Sequence, residues 1–98
     1  MKIIWSPLSL ERAGEIADYI ALDKTTAAIE WIETLFDKVE ILKSSPKIGR
    51  IVPESCREDI RELLFGNYRI IYLADEKKIS ILTIRHGKQI MPIDELQA

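Results

Sequence analysis

The apolar residues of this chain change their spacing near Pro46, and that change sharply restricts the folds open to it. Before Pro46 they recur at three- and four-residue intervals. Leu10, Ala13, Ile16, Ala17 and Ile20 make one stripe, and Ala28, Ile29, Ile32, Leu35, Phe36, Val39 and Leu42 make a second. This spacing gathers apolar side chains on one side of a helix, and Glu11, Arg12, Glu15 and Asp18 fall on the wet side of the first. Ser6 is placed to cap that helix, with Pro7 at its first position, where the missing N–H costs nothing. The first helix is expected to stop near Leu22. Asp23 or Thr25 is expected to cap the second, which ends at Ser44-Ser45-Pro46. Two amphipathic helices joined by a few residues form an αα-hairpin, which needs a flat apolar partner.

The second half supplies that partner. A loop from Pro46 to about Asp59, punctuated by Gly49 and Pro53, leads into three runs with strand character, Ile60–Phe65, Tyr68–Ala74 and Ile79–His86. Gly66-Asn67 is a two-residue hairpin signal, and Asp75–Lys78 is a polar turn. The β-branched opening Met1–Trp5 reads as one more strand. The expected fold class is therefore α+β: an N-terminal strand, an αα-hairpin, then a three-stranded antiparallel meander, giving a sheet of about four strands packed against two helices. The 98 residues suit a single domain over 1–98.

Hairpin geometry extends the expectation to individual side chains. With Phe65 opposite Tyr68 and Asp75 opposite Lys78, one sheet face collects Leu63, Phe65, Tyr68, Ile70, Tyr72, Ile79, Ile81 and Thr83, an apolar surface for the helices. The other collects Glu62, Leu64, Arg69, Ile71, Leu73, Ser80, Leu82, Ile84 and His86. Arg69 then lies opposite Ile84, and His86 stands two residues further along the same face.

Composition removes several function classes. At 47% hydrophobic and 31% charged, the chain is neither disordered nor low-complexity. No apolar run reaches the roughly 18–20 residues of a membrane span, and the start MKIIWSPLSLER lacks the apolar core of a secretory signal, so cytoplasmic residence is expected. One cysteine, Cys56, and one histidine, His86, supply neither an internal disulfide nor a zinc constellation, so no metal or cofactor is expected. The net charge of −2 argues against indiscriminate nucleic-acid binding, yet it is unevenly spread. Residues 1–46 hold five Lys/Arg against eight Asp/Glu, whereas Ile60–Ile90 hold six basic residues against three acidic ones.

The order of elements, together with five motifs, resembles a known family: Ser6-Pro7 followed by Ala13, Pro46-x-x-Gly49-Arg50, Ile60-Arg61-Glu62-Leu63, Gly66-Asn67-Tyr68-Arg69-Ile70-Ile71-Tyr72, and Ile81-Leu82-x-Ile84-x-His86-Gly87-Lys88 at the close of the last strand. Over roughly residues 2 to 90 the chain resembles the RelE/ParE toxin superfamily of bacterial and archaeal toxin–antitoxin systems. The resemblance implies a small toxin neutralised by a cognate antitoxin that wraps it. The expected assembly is a hetero-oligomer with that antitoxin, and dimerisation of the free chain stays open. RelE-like members cut mRNA on the ribosome with several basic residues and a C-terminal Tyr or His. ParE-like members poison DNA gyrase. Here Gln89 stands where the family usually has Arg, and the tail IMPIDELQA holds no Tyr, His or basic residue. The ParE-like branch is therefore favoured, with gyrase as target and no conventional enzymatic activity. A ribosome-dependent mRNA endoribonuclease is the alternative, and a non-toxic module that only binds an antitoxin is a third.

If the chain were a nuclease, Arg69, His86, Glu62 and Lys88 would have to share its acid–base and electrostatic work, since RNA cleavage needs a base, an acid and cations at the developing phosphorane. For contact with a target or antitoxin the candidates are Arg69, His86, Lys88, Arg50 and Arg61. Arg69 sits in an otherwise apolar strand, so its guanidinium must reach an acid, solvent or a ligand. Glu62 on the same face is the nearest acid. His86 ends a strand, where an exposed imidazole is also unremarkable. Tyr68, Tyr72 and Arg61 fall on the helix side, with hydroxyls at the rim and the arginine snorkelling outward. Trp5 and Trp31 read as packing residues, Cys56 as a tolerated loop residue, and Lys47, Arg50 and Arg57 as loop cations.

Overall fold

Ser6 starts the first helix as its position predicts. Its Oγ accepts the Ser9 N–H at 3.0 Å, and Pro7 occupies the first turn. The computed structural model describes residues 1–87 and 93–96. Strand β1 (Lys2–Trp5) is followed by α1 (Pro7–Ala21), α2 (Thr25–Glu40) and a 3₁₀ turn (Ile41–Lys43). Then come β2 (Arg50–Ile51), β3 (Ile60–Phe65), β4 (Tyr68–Ala74), β5 (Lys78–His86) and a second 3₁₀ turn (Ile93–Leu96). The fold is α+β, as expected. No described helix is long and apolar enough to cross a membrane.

Among the described residues the sheet has five strands in the order β1-β5-β4-β3-β2, one more than the hydrophobic pattern predicts. The extra strand is Arg50–Ile51, whose two exposed residues pair with Glu62 and Arg61. A strand this short has no period to detect. β1 runs parallel to β5 and the remaining pairs are antiparallel. Neither Asp23 nor Thr25 caps α2. Lys24 holds the cap position without a side-chain hydrogen bond, since an ammonium has no acceptor to offer.

The β3–β4 register is the expected one, with Phe65 opposite Tyr68. Its turn has Gly66 at φ +58°, the positive value that a type II′ turn needs at its first position. The β4–β5 register begins as expected, Ala74 opposite Ile79, but slips between Tyr72 and Ile71. Tyr72 pairs with Ile81 and Ile71 with Thr83, so Leu82 is the extra residue of a β-bulge. Everything on β5 beyond it changes face. Ile84 turns to the helices and Thr83 to the opposite side, while Arg69 faces Arg85 rather than Ile84. His86 pairs with Tyr68, so it does not share a face with Glu62 and Arg69. The start of α1 is built into this bulge, because the Ser6 N–H and Oγ–H donate to the carbonyls of Ile81 and Leu82.

Two apolar clusters result. Between helices and sheet lie Leu35, Val39, Leu42, Ile70, Tyr72, Ile79, Ile81 and Ile84. Trp5 packs on Phe36 and Trp31 lies between Phe65 and Tyr68, so both tryptophans are packing residues. On the far face Val52, Ile60, Ile71, Leu82 and Leu96 form a smaller cluster.

Candidate functional site

The far face of the sheet carries two chains of alternating charge, joined where β4 and β5 set Arg69 directly opposite Arg85. In the first, Glu62 is fully buried and accepts from the Nε of Arg50 at 2.6 Å and the Nε of Arg69 at 2.5 Å. The two terminal nitrogens of Arg69 donate to the two oxygens of Glu54, each at 2.9 Å, in a bidentate fork. Arg69, 5% exposed, thus uses its Nε and both terminal nitrogens on carboxylates. In the second chain, Glu95 receives the Thr83 Oγ1–H at 2.8 Å, the Arg85 Nε–H at 3.0 Å, a further Arg85 nitrogen, and an Arg12 nitrogen at 3.1 Å. Arg12 ends the row on Glu15 at 3.0 Å.

Each cross-strand arginine is therefore neutralised by its own acid, which permits two like charges to face each other across a ladder. The hydrogen bonds to Glu54 and Glu62 hold the Arg69 guanidinium firmly protonated against the opposing effect of burial. Burial alone pushes the Glu95 carboxyl up. The bonds from Thr83, Arg12 and Arg85 outweigh it and leave the group below the usual carboxylate range. Groups held in this way are charged throughout the physiological range and offer no proton to transfer.

Beside the first chain, Tyr72 is wholly buried rather than at the rim. Its hydroxyl donates to the Pro46 carbonyl at 2.8 Å and accepts the Gly49 N–H at 2.9 Å, and its pKa is raised chiefly by burial. Gly49 is required here by proximity, because a Cβ would lie 2.6 Å from both the Glu62 carbonyl oxygen and the Tyr72 hydroxyl. Arg61 donates to the Gly49 carbonyl at 2.9 Å. The Pro46–Gly49–Arg50 segment is thus clamped from beneath, which places the Arg50 side chain, 61% exposed, at the sheet edge. Among the loop cations, Arg57 pairs with Asp59.

His86 occupies a different place, a cleft of about 280 Å³ lined by Glu15, Ile16, Tyr19, Tyr68, Ile84 and Arg85, with its ring edge-on to Tyr68 at 5.7 Å. Of the predicted site residues, the fold brings together Arg50, Glu62 and Arg69, sets Arg61 behind them, and separates His86 from them. Lys88 lies outside the described residues. Cys56 is exposed, with φ +55°. Among the described residues no group of three His, Cys, Asp or Glu is arranged to hold a metal ion. Sequence reasoning missed Glu54, Glu95, Arg85 and Arg12. Only the bulge brings Arg85 opposite Arg69, and nothing local in the loop or the tail marks either glutamate as a partner.

The order of elements and the hairpin bearing Arg69 agree with a match to the family model described as "ParE toxin of type II toxin-antitoxin system, parDE", which spans residues 3–91. The chain belongs to the ParE toxin family. Among solved structures it is similar to "Chromosomal ParDE TA system from P. aeruginosa", with a TM-score of 0.74, covering 90% of this chain and 97% of that chain. At 21% identity that likeness is one of fold. A search of curated proteins gives no match. The family match takes in Arg12, Glu54, Glu62, Arg69 and Arg85 but stops short of Glu95.

Proposed function

We propose that this chain is the toxin half of a type II toxin–antitoxin pair, held inactive in the cytoplasm by a cognate antitoxin, and that its target is DNA gyrase, engaged by binding rather than by chemistry on RNA. Membership of the ParE family supports the toxin assignment. The observation that carries the choice of target is the separation of the candidate catalytic groups. His86 stands with Tyr68 at the helix-side cleft, while Glu62 and Arg69 are buried and mutually neutralised on the other face. The imidazole and the Glu62–Arg69 pair face opposite sides of the sheet, whereas general acid–base catalysis requires its groups within hydrogen-bond distance of one proton path. Arg50 and His86 are the contact residues we assign to target or antitoxin, with Lys88 joining them by its place in the sequence. Arg69 and Arg61 serve from behind by holding the segment that bears Arg50.

Purified protein mixed with gyrase, ATP and supercoiled plasmid tests this. Accumulation of linear, gyrase-linked DNA is expected, together with growth inhibition that His86→Ala weakens only as far as a lost surface contact does. General acid–base residues typically contribute about 10²- to 10⁴-fold in rate, so a nuclease would be visibly disarmed by that substitution. Discrete mRNA cuts in primer extension that disappear in His86→Ala, with no effect on gyrase, would reverse the assignment.

A further inference from the structure

Glu95 and Leu96 sit on the far face of the sheet as a ligand sits on a receptor. The Glu95 carboxylate is 8% exposed in a clamp of Thr83, Arg85 and Arg12, and Leu96 is 4% exposed among Val52, Ile60, Ile71 and Leu82. Asp94, the residue before them, is exposed. We propose that this seat is a peptide-binding site for an acidic residue followed by an aliphatic one, filled in cis by the chain's own tail and open to the same pair presented by a partner polypeptide.

Three observations carry the proposal. The seat is built on α1, β3, β4 and β5, with Val52 of the loop after β2 as the one lining residue outside them, whereas its occupant belongs to a four-residue 3₁₀ turn. Preformed donors on helices and strands are what a recognition site requires. Next, the seat is not saturated by its occupant. The Nε of Arg12 is buried without a hydrogen-bond partner among the described residues, a spare donor beside the carboxylate. With Glu95 gone, Arg12 would retain Glu15 while Arg85 lost its carboxylate, and a poorly solvated guanidinium favours recapture of an anion. Lastly, every seat residue lies within the span matched by the family model, and the occupant lies beyond it. The chemistry of the ligand is read from the occupant itself: a carboxylate to fill the arginine fork, then a branched aliphatic side chain for the apolar hollow. This holds whether or not gyrase is the target.

The test uses a fluorescent peptide of sequence Ile93 to Ala98, titrated by anisotropy into full-length protein. A tethered segment competes at an effective concentration in the millimolar range, so wild-type protein should bind the peptide at least about tenfold more weakly than the Glu95→Ala/Leu96→Ala variant, whose seat is vacated. Adding Arg85→Ala to that variant should abolish binding, and a peptide with Gln in place of its Glu should lose at least about tenfold. Circular dichroism checks that the double variant is folded. If it is not, Glu95→Gln, which keeps the shape and loses the charge, should still bind the peptide more tightly than wild type. Equal affinity of wild type and seat-vacated variants, or indifference to Arg85→Ala, would overturn the proposal. So would a dimer in sedimentation that depends on Arg85 and resists the peptide, since the seat would then be a contact between copies of this chain.

Discussion

On the helix side of the sheet, Leu35, Leu42, Ile70, Ile79 and Ile81 are sealed with Tyr72 as the one hydroxyl-bearing member of the buried cluster, whereas on the far side Glu62, Arg69, Thr83 and Glu95 are buried among five aliphatic residues. Apolar packing is non-directional and roughly proportional to area, so the first face tolerates substitutions that keep its volume. Ion pairs withdrawn from water are stabilising only while every member is present, so the second face fails when one member is removed. The contrast also separates two kinds of work. The packed face holds the helices, and the charged face ties a loop, through Glu54, and a tail, through Glu95, to the strands.

The largest effect expected from this contrast is at Arg69. Arg69→Ala leaves Glu62 buried against Arg50 alone and Glu54 without its fork, and should cost about 3–5 kcal/mol in urea unfolding. Replacing Arg69 and Glu62 together with leucine should return a large part of that loss, as removing both partners of a buried pair often does. A loss below about 0.5 kcal/mol for the single change, the range usual at open surfaces, would break the comparison.

A smaller effect is expected where the packed face has its polar exception. Tyr72→Phe keeps the ring and removes the hydroxyl shared by Pro46 and Gly49, leaving a buried N–H without its acceptor at a cost of about 1–3 kcal/mol. Faster hydrogen exchange at the Gly49 amide is the accompanying sign. An unchanged exchange rate would mean that Arg61 alone holds the segment.

The smallest concerns acid. The Glu95 carboxyl titrates lower in the folded chain than in the unfolded one, so its stabilisation is complete above the unfolded value and is lost as pH falls through the folded value. Urea melts from neutral to acid pH should show a decline that Glu95→Gln makes shallower, by at most about 1.4 kcal/mol per pH unit for a single group. Identical profiles would place the acid sensitivity of the fold in other carboxyls, of which Asp59, beside Arg57, is also shifted downward.

Much of the fold is legible before any coordinates. Ser6, Pro7, both helices, the three meander strands and the Gly66-Asn67 turn follow from local spacing and backbone preference, and each is found where expected, although Leu10, Ile29 and Phe36 of the two apolar stripes stay exposed. The candidate site is legible only in part. Arg69 announces itself as a cation in an apolar strand, and Glu62 as its neighbour on the same face. Leu82, in contrast, continues the alternation so smoothly that its bulge leaves no trace in the residue pattern, yet it decides that His86 and Arg69 part company and that Arg85 takes its place opposite Arg69.

Burial preference is a property of each residue and its near neighbours, and so the sequence by itself determined which of the longer segments become helix or strand and, on β3, β4 and the first half of β5, which face turns toward the helices. Charge pairing depends on distance in space. Arg12 meets Glu95 across 83 positions and Arg69 meets Glu54 across 15. Only the tertiary structure, by placing a bulge in β5 and laying a loop and a tail on the far face, decided which arginines Glu54 and Glu95 neutralise, because these pairs are selected by geometry that no local pattern contains.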